Sequence, residues 1–189
     1  SLSIMGLLHP GAKVEEGSIL FRSNQNRDPI DLLSLSKSEM RSYRGKEIAM
    51  IFQEPMTSLN PVMRCGEQVA EAIKLHFKKS NKEAKETVLN WFKEVKLPRP
   101  EQLYNSYPHE LSGGQKQRVM IAMAMCCEPQ VLIADEPTTA LDVTVQKYIL
   151  KLIKKLQEKY GMSVIFITHD LGVVAEIADR VIVMKSGEV

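Results

Sequence analysis

Between residues 131 and 184 the chain repeats one pattern, an apolar run followed by a helix-like stretch and then another apolar run. Val131-Leu132-Ile133-Ala134, Ser163 to Thr168 and Arg180 to Met184 are the strand candidates, and the last two are rich in β-branched residues. Thr144 to Tyr160 separates the first two runs. It places Val145, Ile149, Leu152, Ile153 and Leu156 on one stripe and Lys147, Lys151, Lys154, Lys155 and Lys159 outside it. That is an amphipathic helix, and Gly161 fits its left-handed stop. Leu171 to Ala178 is the second helical separator. Apolar strands alternating with helices are covered on both faces and pair in parallel through crossovers. Each Val, Ile or Leu fully buried there contributes about 1.5–3 kcal/mol, so this α/β repeat is expected to form the core.

Upstream, Glu47 to Phe52 reads as another buried strand, while Gly17 to Arg22 and Asp31 to Leu33 read as short strands around the polar loop Ser23 to Pro29. Ser38 to Tyr43 predicts a short helix. Leu2, Ile4, Met5, Leu7 and Leu8 look like the tail of a helix stopped by His9-Pro10-Gly11, so the chain is expected to begin inside an element. From Met63 to Arg118 the spacing turns helical, with Val69, Ala72, Ile73 and His76 in one segment and Val88, Leu89, Phe92 and Val95 in the next. Pro98, Pro100 and Pro108 confine the connections. A small-residue helix is expected over Val119 to Met125. The 189 residues suffice for one domain, with a helical insertion at about 62–118 and a core at about 1–61 and 119–189.

The charge balance of 25 Lys and Arg against 23 Asp and Glu lacks the basic excess of a nucleic-acid footprint, so no nucleic-acid partner is expected. The longest apolar run, Val119 to Cys127, is less than half of the roughly 20 residues that a membrane span needs. Adjacent Cys126 and Cys127, with Cys65 apart, fit reduced, buried thiols and no zinc pattern. The opening lacks a basic secretory start, and a cytoplasmic setting follows.

Polar residues cluster where the apolar runs end. Asp135-Glu136 follow Val131 to Ala134, and ligands of open α/β sheets sit at the carboxyl ends of strands. An aspartate there can hold Mg²⁺ together with substrate phosphates, and a glutamate can polarise a water as general base; strand-end acids also serve simply as turn caps. Leu111-Ser112-Gly113-Gly114-Gln115 precedes a helix expected to begin near Lys116. Its glycines, its serine and the helix N-terminus suit an anion, yet Ser-x-x-Gln is equally a capping box. His169 follows the run Ser163 to Thr168 and could donate to a phosphate, although a lone histidine is usually structural. Gln53 follows Glu47 to Phe52 and could reach a metal or water through its amide.

Taken in order, Gln53, Leu111 to Gln115, Asp135-Glu136 and His169 resemble the nucleotide-binding subunits of ABC transporters over the whole chain. The resemblance implies a P-loop NTPase (RecA-like) core with a mainly parallel sheet, a small antiparallel β lobe and an inserted α-helical signature subdomain. It makes Gln53 the Q-loop residue, Leu111 to Gln115 the signature, Val131 to Asp135 the Walker B strand, Glu136 the catalytic carboxylate, Ala140-Leu141-Asp142 the D-loop and His169 the switch histidine. ATP and Mg²⁺ are the implied cofactors, with Asp135 and Gln53 near the metal and Ser112, Gly113 and Gly114 clasping the nucleotide of a second, head-to-tail ATPase subunit. Gln53 to Pro61, Tyr107 to Glu110 and Thr138 to Gln146 further resemble the dipeptide, oligopeptide and nickel importer branch. That branch implies a bacterial or archaeal peripheral protein at the cytoplasmic face of the membrane. Its loop Glu54 to Pro61 would dock on permease subunits, and an extracytoplasmic solute-binding protein would be an indirect partner.

The resemblance has one departure. The Walker A pattern G-x-x-x-x-G-K-[ST] is missing, because the only Gly-Lys pair is Gly45-Lys46, with Met40 where the first glycine would stand. The expectation is therefore a chain incomplete at both ends and inactive alone. The alternatives are a non-transport ABC ATPase of DNA repair or translation and a non-catalytic binding module.

Overall fold

The computed structural model describes residues 1–24, 28–53, 58–139 and 141–189. Its centre is a three-stranded parallel sheet ordered β3 (Ile48–Ile51), β4 (Val131–Asp135), β5 (Ser163–Ile167). Ile48 pairs with Val131 and Ile51 with Ala134, and the ladder runs on from Val131 opposite Ser163 to Asp135 opposite Ile167. All three strands therefore end at the same edge of the sheet. A two-stranded antiparallel ribbon of β1 (Leu20–Phe21) and β2 (Ile30–Asp31) forms the small lobe.

The strands alternate between two apolar layers, as period-two geometry requires. Ala49, Ile51 and Leu132 face a large cluster built from the helices, with Val164 and Phe166 packed against it. Ile48 and Ile133 face a smaller one with Met5, Phe21, Leu32 and Met40, the last from α1 (Lys37–Tyr43).

The connection from β3 to β4 contains α2 (Cys65–Phe77), α3 (Asn81–Glu94), α4 (Pro100–Asn105) and α5 (Gly113–Met125). Buried Val69, Ile73, Val88, Phe92, Val119 and Met125 lock these helices together. The periodicity of residues 63–118 and the proline positions thus mark real helices and their breaks. Helix α5 starts earlier than the sequence suggests, with Ser112 as its N-cap, and runs unbroken past Val119. The Ser112 hydroxyl accepts from Gln115 N at 3.4 Å while the Gln115 side chain accepts from Ser112 N at 2.9 Å. The capping box is therefore formed. Helix α6 (Val143–Tyr160) carries the expected stripe, ends at left-handed Gly161 and connects β4 to β5; α7 (Leu171–Ile177) follows β5.

Three local expectations change. Residues 1–7 form a single helical turn that stops at Gly6, ahead of the expected stop at His9-Pro10-Gly11. Gly6 takes φ +58°, and Leu7 N donates to Leu2 O and Gly6 N to Ser3 O, the paired bonds of a Schellman stop. Arg44 then fastens the stop by donating to Met5 O at 2.6 Å and Gly6 O at 2.8 Å. Asp31 ends β2 and caps the short 3₁₀ turn Leu32–Ser34, so Leu32 and Leu33 are not strand. Arg180 to Met184 is not a strand either. Val181, Ile182, Val183 and Met184 are exposed, and β4 is the one ladder partner of β5 among the described residues. An apolar β-branched run becomes strand only where a neighbour completes its hydrogen bonds.

Candidate functional site

The level strand ends bring one residue from each strand to one point. Gln53 follows β3, Glu136 follows β4 and His169 follows β5. Glu136 N donates to Ile167 O at 2.9 Å, which continues the parallel ladder one residue past Asp135. Glu136 then turns sharply, with φ +43°. A left-handed non-glycine residue costs about 1–3 kcal/mol, and such strain concentrates where the surrounding structure fixes a functional side chain.

The carboxylate so placed accepts from three groups. Gln53 Nε2 lies 3.1 Å and Thr139 Oγ1 2.9 Å from Glu136 Oε2, and His169 Nδ1 lies 2.9 Å from Glu136 Oε1. The hydrogen bonds from His169 and then Thr139 hold the Glu136 carboxyl below the usual range, and Glu136 in turn raises His169 above the ordinary imidazole value. The His169 side chain is 80% exposed, so its outer nitrogen is open to solvent. Thr139 was not singled out by sequence reasoning. The signal was present, since Thr139 N donates to Glu136 O at 3.1 Å in a turn that a Glu-Pro-Thr-Thr segment favours.

Asp135 sits at the last position of β4, and Ser1 Oγ donates to its Oδ2 at 2.9 Å. A groove of about 550 Å³ there is lined by Asp135, Gln53, Ser58 and the α5 residues Met120 and Met123. A carboxylate and an amide oxygen on one groove wall suit a hard cation such as Mg²⁺. No cluster of three His, Cys, Asp or Glu is present among the described residues.

The glycine segment lies elsewhere. A Cβ on Gly113 would stand 3.6 Å from Leu141 Cδ2, and one on Gly114 would stand 2.9 Å from Val145 Cγ1. The N-terminus of α5 thus packs on the start of α6, where Asp142 caps the helix by accepting from Thr144 N at 3.1 Å and Val145 N at 3.0 Å. Leu111 is buried, whereas Ser112 and Gly113 are exposed. Ala140 and the stretch 54–57 of the expected docking loop lie outside the described residues. The structure therefore joins Gln53, Glu136 and His169 directly, places Asp135 beside them, and sets residues 111–115 against Leu141 and Val145.

This arrangement has close counterparts. Residues 2–139 match the profile of the ABC transporter family. The chain is 56% identical over 189 residues to the glutathione import ATP-binding protein GsiA of Salmonella choleraesuis and 54% identical over 188 residues to that of Shigella dysenteriae serotype 1. It is covered completely in both alignments but spans only 30% of the length of those relatives. Among solved structures it is similar to a dimeric post-hydrolysis ATP-binding cassette bound to ADP and Pi, with 34% identity, a TM-score of 0.67, and coverage of 76% of this chain and 61% of that one. A second dimeric structure of that same cassette, a bacterial ABC transporter cassette, matches at 33% identity and a TM-score of 0.68, over 77% and 62% of the two chains. A parallel sheet that gathers Gln53, Glu136 and His169 at one edge, with a family match across most of its length, makes this chain a member of the ABC transporter family.

Proposed function

We propose that this chain is part of an ATP-hydrolysing subunit that powers a bacterial or archaeal importer for peptides or nickel, acting at the cytoplasmic face of the membrane. The observation that carries this reading is the convergence of Gln53, Glu136 and His169 from three parallel strands onto one hydrogen-bonded cluster beside Asp135. The similarity to glutathione import ATP-binding proteins supports the importer class and a small peptide as cargo.

Bound Mg·ATP supplies a phosphoryl group whose transfer depends chiefly on positioning and on stabilisation of charge. In this chain Asp135 would hold the metal, with Gln53 at its side. Glu136 would orient a water and accept its proton, while His169 and Gln53 would exchange their bonds to Glu136 for bonds to phosphate oxygens. Ser112, Gly113 and Gly114 would clasp the nucleotide of a second ATPase subunit facing head to tail, with Leu141 and Asp142 at the shared boundary. The region 54–61 would meet the permease subunits, and the solute-binding protein would act through them.

The 189 residues contain no Walker A lysine, so the chain by itself is expected to bind Mg·ATP weakly or not at all. Calorimetric titration of the chain with Mg·ATP tests this. Micromolar binding would overturn it, and retention on immobilised DNA or ribosomes rather than on permease subunits would overturn the importer reading.

A further inference from the structure

At the opposite end of α5 from Ser112 lies a second chemically distinct place, the adjacent thiols Cys126 and Cys127. Their sulfurs are 3.8 Å apart. Both residues are buried from bulk water, yet both line a pocket of about 360 Å³ whose walls also carry Lys46 and Lys79. Glu47 and Glu128 share that wall, the Glu47 carboxylate accepting from Gln130 Nε2 at 2.6 Å and Ser23 Oγ at 3.4 Å. The pocket thus sets two thiols among two ammonium and two carboxylate groups, the ammonium groups being the ones that can draw in an anionic reagent.

We propose that Cys127 is a modification site, where a small disulfide bearing carboxylates, of the glutathione disulfide class, forms a mixed disulfide with Cys127 under the guidance of Lys46 and Lys79. The Cys127 thiolate attacks one sulfur of the incoming disulfide. A Cys127–sulfur bond forms as the incoming sulfur–sulfur bond breaks, and the departing thiolate carries off that electron pair and takes a proton from water. Cys127 is oxidised and one half of the incoming disulfide is reduced.

Cys126 assists as the hydrogen-bond donor. The Cys126 S–H lies 3.1 Å from Met123 O, and once Cys127 is ionised it can turn to donate across the 3.8 Å between the sulfurs. The Cys127 thiol accordingly lies below its ordinary value, chiefly through that bond, with Lys46 and Lys79 adding to it against burial and the charge of Glu128. Burial pushes Cys65 up to about 11, so it is the internal control. Closure to a Cys126–Cys127 disulfide is disfavoured, because adjacent Cα atoms sit about 3.8 Å apart and disulfides prefer about 4.4–6.8 Å. The mixed disulfide should therefore persist.

The test is to incubate the native chain with glutathione disulfide and map adducts by peptide mass spectrometry. One glutathionyl group on Cys127 is expected, absent from Cys127→Ser and absent from Cys65. Replacing Lys46 and Lys79 together by Gln should slow the reaction about tenfold with this anionic disulfide and by clearly less with neutral hydroxyethyl disulfide, which feels only the loss of thiolate that the two lysines help to stabilise. These lysine replacements keep the test decisive should Cys127→Ser fail to fold. A chain that reacts only when denatured, equal labelling of Cys65, an internal Cys126–Cys127 disulfide, or equal slowing with both reagents would overturn the proposal.

Discussion

Gly113 and Gly114 stand next to each other in the signature segment, but the structure gives them different reasons to lack a side chain. A Cβ on Gly114 would lie 2.9 Å from Val145 Cγ1. Val145 is β-branched and held in the first turn of α6, so it has little rotamer freedom with which to yield. Such overpacking costs about 1–3 kcal/mol, and the better helix propensity of alanine returns at most about 1 kcal/mol. A Cβ on Gly113 would lie 3.6 Å from Leu141 Cδ2, an ordinary contact, and its backbone is not left-handed. Gly113→Ala should therefore melt at or slightly above the wild-type temperature. Gly114→Ala should melt lower than Gly113→Ala by about 2–12 °C, taking about 2–4 °C per kcal/mol for a domain of this size. Thermal unfolding followed by circular dichroism measures both. Equal melting temperatures, or a less stable Gly113→Ala, would refute the assignment of Gly114 to packing against α6. The same pair then isolates function. In a protein that also carries a Walker A loop, loss of ATP hydrolysis by Gly113→Ala at unchanged stability would mark close backbone approach to a partner's nucleotide.

Glu136→Gln, in a protein with a Walker A loop, should keep nucleotide binding and lose turnover by at least about a hundredfold, the usual scale for removing a general base; undiminished phosphate release would exclude Glu136 from that role. The Glu136–His169 pairing lowers the carboxyl and raises the imidazole, so its contribution is lost as pH falls through the lowered Glu136 value and again as pH rises through the raised His169 value. Proton NMR of His169 should titrate above 6.5 in the wild type and return toward 6.5 in Glu136→Gln, and an unchanged midpoint would contradict the pairing. Asp142→Ala removes the acceptor for Thr144 N and Val145 N and should destabilise the chain by about 1 kcal/mol in urea unfolding.

The sheet was legible because its strands are apolar throughout, as burial on both faces requires, and because Gln53, Asp135-Glu136 and His169 come directly after them. The same composition misled at Arg180 to Met184, since hydropathy reports the tendency to be buried and says nothing of whether a ladder partner is at hand. The stop at Gly6 was overlooked in favour of His9-Pro10-Gly11 because a Schellman closure depends on one residue's backbone angle, and glycine tolerates that angle without announcing it. At Ser112 the two readings were never exclusive. The hydroxyl oxygen accepts from Gln115 N as a cap, and the hydroxyl hydrogen is left to donate outward from an exposed position.

The geometry of Glu136 also decides what a productive site must change. With donors from Gln53, Thr139 and His169 its negative charge is well compensated, and a carboxylate stabilised in this way is a weaker base than a bare one. On the proposed reading, a phosphate group entering the groove beside Asp135 competes for Gln53 and His169, the two donors that come from other strands. Thr139 is different, because it belongs to the same turn as Glu136 and has no need to move. Withdrawal of Gln53 and His169 would raise the basicity of Glu136 at the moment when their N–H groups acquire phosphate oxygens as partners. One exchange of hydrogen bonds would then both sense the nucleotide and activate the base, whereas loss of Thr139 alone should loosen the position of Glu136 without uncoupling it from the nucleotide.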